Sequence, residues 1–111
     1  MKKAMKKLIN TIQFVSANEL NRANEIWPQF HSKHEAIGVL DEELWEMEKE
    51  HEQFNKWSKE LHIAVYQDFD MEKPLTQMEY KLSAMIAEGI QCLAMLKKFR
   101  YLLEREVKKN G

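Results

Sequence analysis

Apolar residues recur along this chain in steps of three and four, the period of one buried helix face. They fall into three blocks. In the first, Leu8, Ile12 and Val15 mark a short amphipathic helix, and Leu20, Ala23 and Trp27 carry its stripe on until Pro28 stops it. Ser16-Ala17-Asn18-Glu19 matches a capping box, so the helix is expected to restart or bend there. Trp27 to His31 is then a short aromatic connection.

The second block is longer. Ser32 and Glu35 form another capping box, followed by Ile37, Leu40, Leu44, Met47, His51, Phe54, Ser58, Leu61 and Val65 in heptad-like alternation. This predicts one helix over 33–66, roughly nine turns, with polar interruptions at His51 and Ser58. His51 reads as a core histidine with a polar partner. Gln67 to Pro74 has the acidic, Pro-containing look of a loop, and Thr76-Gln77-Met78-Glu79 is a third capping box, expected to open the last helix. That helix carries Met78, Leu82, Met85, Gly89, Cys92, Leu96, Phe99 and Leu103, widened by Ile86, Ile90 and Leu93. So broad a stripe predicts enclosure on more than one side, with Gly89 permitting a close approach. Residues 105–111 read as a fraying basic tail suited to a helix C-terminus.

Composition supports an all-α reading. Three Gly and two Pro in 111 residues leave few breakers, and the length suits a single domain over 1–111 with a modest core. Two long helices and one shorter, bent or interrupted N-terminal helix make an incomplete bundle. The apolar surface left over predicts completion by dimerisation, in a homodimer or higher homo-oligomer. With 17 basic and 18 acidic residues, the net charge of -1 gives no footprint for nucleic acid. Cys92 alone excludes an intrachain disulfide and suits a reducing, cytoplasmic setting. The lysines before Leu8 imitate a signal peptide, but Asn10, Thr11 and Gln13 interrupt the apolar run. No stretch reaches bilayer-spanning length, so no membrane partner is expected.

The candidate chemistry lies in the second block. Glu42, Glu43 and Glu46 stand at i, i+1 and i+4, on one side of a helix. Like charges so close require open solvent, a nearby cation or a bound metal. A solvated face is the commoner outcome of such a run. Against it, Glu43 neighbours Leu40, Leu44 and Met47, while Glu35 and Glu50 extend the acidic face. Mg²⁺ favours such oxygen donors, often one or two carboxylates completed by phosphate oxygens. The histidines offer less. Glu48 and His51 form one Glu-x-x-His element where a di-iron bundle uses two, and His31 and His34 lack the further ligands of a zinc set. Trp27, Phe30 and Trp45 are able to stack a nucleobase, although core or hinge packing is the commoner role.

Residues 17–25, 30–36 and 39–47, with Glu88-Gly89-Ile90-Gln91-Cys92-Leu93-Ala94-Met95, resemble the MazG-like all-α nucleoside triphosphate pyrophosphohydrolases, in the short form common in phages and prophages. The resemblance implies cleavage of a nucleoside triphosphate to the monophosphate and pyrophosphate. It places Glu42, Glu43 and Glu46 in the family's E-E-x-x-E motif, as catalytic residues and ligands of Mg²⁺, with Mn²⁺ as a substitute. Glu88 opens the second motif, E-x-x-D, as a further ligand, but Gln91 stands where the Asp belongs and the gap between the motifs is longer than usual. A neutral Gln can neither offset metal charge nor act as a base, so one ion is expected to bind well and a second poorly. By position, Lys33 near the helix start would help with the phosphate charge and the base would lie near Trp27, Phe30 or Trp45, with His34 and Gln91 also counted among the substrate residues. A non-catalytic helical accessory protein on the same scaffold is the competing expectation. A structural bundle whose acidic face aids solubility is the third.

Overall fold

The computed structural model describes residues 2–26 and 29–110, with side-chain environments over 2–22 and 29–108. Three helices make up the chain: α1, Lys2–Ile26; α2, Lys33–Gln67; and α3, Glu72–Asn110. No strand occurs among the described residues, so the chain is all-α. Its contacts divide into two compact units, the first over 1–43 and 90–111 and the second over 44–89.

The helix ends show which local signals govern. The Ser32 hydroxyl accepts the Glu35 N–H at 3.1 Å and the Ser32 carbonyl accepts that of Ala36 at 3.0 Å, so α2 begins at its capping box. It ends one residue past the expected Tyr66. Asp68 takes a left-handed φ of 56°, and the Phe69 N–H donates to the Ala64 carbonyl at 2.8 Å, a Schellman closure. The last helix opens at Glu72, ahead of Thr76. The Asp70 carboxylate accepts the Glu72 N–H at 3.1 Å, and Pro74 sits in the first turn, where its missing N–H costs nothing. Thr76 is therefore inside the helix, donating to the Glu72 carboxylate at 3.3 Å. Nor does α1 restart at Ser16. That hydroxyl donates back to the Gln13 carbonyl at 2.8 Å and accepts the Lys97 ammonium at 2.6 Å. An S/T-x-x-E spacing inside a helix can satisfy its hydroxyl by such back-bonding, so the sequence signal is not unique to starts. Residues 105–110 continue α3 rather than fraying, and Arg105 is half-buried.

Asp68 offers a direct test of this ending. A side chain at left-handed φ costs roughly 1–2 kcal/mol for most residues and least for Asn or Asp. Asp68→Gly is expected to hold or raise the melting temperature, and Asp68→Val to lower stability by about 1 kcal/mol or more, both read by thermal denaturation.

In the first unit, Phe30, Ala36, Leu40, Ala94, Met95 and Leu102 form the core, with Leu20, Val39 and Phe99 packed against it. Ala36 and Ala94 are fully buried, so α2 and α3 each place a small side chain in this core. Across this unit the Lys97 ammonium also donates to the Gln13 carbonyl at 2.8 Å, holding α1 to α3.

The second unit is a helical hairpin whose buried residues are Ala64 and Pro74. Met47, Phe54, Trp57, Leu61, Met78 and Met85 are half-buried in it. His51 is exposed, its Nε2 at 3.5 Å from the Asn55 amide, and is not the core histidine its stripe position suggests. A Cβ on Gly89 would meet Met47 Sδ at 3.8 Å, an ordinary contact, so no unusually close approach depends on this glycine. Several stripe positions stay exposed in the single chain, among them Ile37, Leu44, Val65, Leu82, Leu96 and Leu103. No described helix is long and apolar enough to cross a membrane.

Candidate functional site

The capped start at Ser32 and the absence of a break place Glu42, Glu43 and Glu46 on one continuous helix. Their spacing puts Glu42 and Glu46 one turn apart on one face. Both are exposed, and Glu43 is half-buried. Neither Glu42 nor Glu46 forms an ion pair among the described residues. The lysine best placed to neutralise Glu46 is engaged elsewhere: Lys49 Nζ lies 3.5 Å from the centroid of the Trp45 ring. One face of that exposed indole is therefore already covered by a cation.

The remaining carboxylates divide. Glu50 leaves the acidic face, turning toward Lys81 with Oε2 at 3.4 Å from the ammonium. That oxygen is buried and makes no hydrogen bond, so Lys81 serves it as a nearby charge without aligned donation. Glu88 is half-buried on α3, in the second unit. No three His, Cys, Asp or Glu side chains gather into a metal-holding group among the described residues.

No family model, curated protein or solved structure matches this chain. The geometry and chemistry of its own residues carry the functional reading.

Gln91, which the resemblance sets in the place of an Asp, has a definite local role. Its amide donates to Glu19 Oε1 at 2.7 Å, joining α3 to α1 within the first unit. Arg22 donates to the same carboxylate through Nε, at 2.9 Å, and through Nη2. The Arg22 hydrogen bonds, then that of Gln91, hold the Glu19 carboxyl below the usual carboxylate range, against the opposing effect of its burial.

The proposed substrate-side residues are dispersed. Phe30 is buried in the first unit's core, its ring against Lys98, and offers no open face to a base. Lys33 is exposed and pairs with Glu106 at 3.6 Å. His31 and His34 are exposed. Trp27 lies outside the described residues.

Two cations that the hydrophobic pattern did not single out line a cleft of about 310 Å³ in the first unit. Lys98 is only 6% exposed, with Nζ 4.6 Å from the Phe30 ring centroid. Arg105 donates through Nη2 to the Phe30 carbonyl at 2.7 Å. Burial pushes the Lys98 ammonium below the usual lysine range, opposed by the Glu35 charge. A sequence signal existed: Lys98 and Arg105 are one heptad apart on the face that carries Leu102, where apolar residues are the norm.

Proposed function

We propose that this chain is a Mg²⁺-dependent nucleotide-binding protein of MazG-like type. In this reading it works as a cytoplasmic homodimer and cleaves a nucleoside triphosphate to the monophosphate and pyrophosphate. One observation carries the reading: α2 presents the exposed carboxylates of Glu42 and Glu46 a turn apart, without an ion pair among the described residues. The protein itself leaves that charge for a cation to neutralise.

The donor chemistry fits Mg²⁺, which accepts one or two carboxylates and takes its other ligands from water and phosphate oxygens. Glu42 and Glu46 would hold the ion, with Glu43 and Glu88 the further carboxylates that the resemblance implies. Bound there, it would neutralise phosphate charge and activate water for attack on phosphorus. A second copy would cover the apolar positions that the single chain leaves exposed.

Pyrophosphate release from a panel of common and damaged nucleoside triphosphates tests this directly. Glu42→Gln and Glu46→Gln are each expected to lower the rate by about a hundredfold or more. Stability should change by less than about 0.5 kcal/mol, because both residues are exposed. A folded protein that releases no pyrophosphate from any member of the panel would overturn the catalytic part of the reading.

The second reading is a non-catalytic helical interaction protein. The Gln91 hydrogen bond to Glu19 favours it, because the residue at the Asp place is engaged in holding α1 to α3. Thermal denaturation with Mg²⁺ and nucleotide separates the two: a stabilising shift belongs only to the nucleotide-binding reading.

A further inference from the structure

Every residue from Lys2 to Thr11 is exposed, so the first turns of α1 are open to solvent. Burial begins at Ile12, which is half-buried, and Lys97 fixes the helix there by donating to the Gln13 carbonyl and the Ser16 hydroxyl. The open turns are sorted into two faces. Met5, Leu8, Ile9, Ile12 and Val15 keep the three- and four-residue steps of one helix face. Lys2, Lys3, Lys6, Asn10 and Gln13 fall on the opposite side, and Lys7 lies at an edge.

We propose that this part of α1 lies on the surface of a bilayer rich in anionic lipids, with Met5, Leu8 and Ile9 set against the acyl chains and the lysines among the headgroup phosphates.

The apolar side supplies the first argument. Met5, Leu8 and Ile9 are each about half exposed, and Val15 beyond them is exposed too. A short stretch of helix without tertiary packing is marginal in water. An apolar surface laid against these residues would cover them and stabilise the stretch. The absence of a spanning-length segment bears on crossing a bilayer, whereas lying in its surface takes only one apolar face beside a cationic one.

Charge supplies the second, and it selects the occupant. Residues 1–18 hold four lysines and no Asp or Glu. Each lysine brought near an anionic surface adds about fivefold in affinity. Their methylene stems run beside apolar surface while the ammonium reaches the phosphates. A second copy meeting this face with its own would set lysines against lysines, without the opposite charges that pair two helices. A nucleic acid would take the lysines and leave Met5, Leu8 and Ile9 in water.

The full chain is sedimented with vesicles of phosphatidylcholine alone and of equal parts phosphatidylcholine and phosphatidylserine, without Mg²⁺ or nucleotide. Saturable binding to the mixed vesicles is expected, at least about tenfold tighter than to phosphatidylcholine and weakened by salt. Leu8→Ser should weaken it by about tenfold or more, as should Lys3→Gln combined with Lys6→Gln. All three residues are exposed, so the melting temperatures should hold; should one variant fail to fold, the other decides. The proposal is overturned if folded wild-type protein does not bind the mixed vesicles, if it binds both compositions equally, or if either folded variant binds undiminished. Without vesicle binding, retention of duplex DNA would assign the lysines to nucleic acid. Dissociation of an oligomer by Leu8→Ser, again without vesicle binding, would assign the face to a second copy. Either result overturns the proposal.

Discussion

Phe30→Ala is expected to cost about 3–5 kcal/mol of folding free energy, a large share of the roughly 5–15 kcal/mol that keeps a domain of this size folded. The ring is 3% exposed and packs with Ala36, Leu40, Ala94, Met95 and Leu102, so its removal leaves a cavity as well as lost burial. It also uncovers the Lys98 ammonium, which the ring faces at 4.6 Å. Trp45→Ala provides the contrast. Trp45 is 55% exposed and chiefly carries Lys49 on its ring, so its loss should stay below about 1 kcal/mol. Urea denaturation of the two variants beside wild type measures both values. The spacing treats these aromatics alike, as neighbours of the connection before α2, whereas burial separates them severalfold.

Gln91→Asp is expected to destabilise the first unit by about 1–3 kcal/mol at neutral pH. It removes the amide donor from Glu19 and places a second carboxylate beside it. The pH dependence has a definite sign. In the wild-type protein Glu19 is held below the usual carboxylate range, so its contribution is fully present above the unfolded pKa and is lost as pH falls through the folded pKa. In the variant, loss of the Gln91 bond and the added negative charge raise the Glu19 pKa, and a proton taken up by the pair relieves the repulsion. The deficit relative to wild type should therefore shrink as pH falls from neutral into the carboxylate range. Denaturation curves at neutral and acidic pH check this. The same variant supplies the carboxylate that the proposed MazG-like reading expects at this place. Under the catalytic reading it should release pyrophosphate faster while melting lower, two changes that a purely structural role for Gln91 would not combine.

Helix number and the bounds of α2 were legible because strong local signals agreed there: the Ser32 cap, the heptad stripe and the acidic, Pro-containing stretch after Gln67. The starts of α1 and α3 were less so. The reading at Thr76 treated Pro74 as a barrier, although a proline in the first turn leaves no bond unmade. Ser16 looked like a cap because its spacing to Glu19 is that of a capping box, yet its hydroxyl is satisfied within the helix and by Lys97. The acidic face itself follows from spacing on α2. Its surroundings do not. The engagement of Lys49 by Trp45, of Glu50 by Lys81 and of Gln91 by Glu19 reflects choices among several available partners. Two of those choices join separate helices, and no periodicity along the chain specifies them. The cationic cleft was hidden for a similar reason: Arg105 reads as part of a basic tail until Phe30 is brought beside it.

Cys92 gives the molecule a built-in reporter. It is the single thiol of the sequence and is 6% exposed within the first unit. A bulky thiol reagent must wait for that unit to open, and when reclosing outpaces labelling, the observed rate follows the open population. On that basis Phe30→Ala should accelerate modification by about two to four orders of magnitude if opening exposes the whole unit. Substitutions at Asp68, in the second unit, should leave the rate nearly unchanged if the two units open separately, and should move it in step with the melting temperature if they open together. One unmodified cysteine thus times the cooperativity of the whole chain.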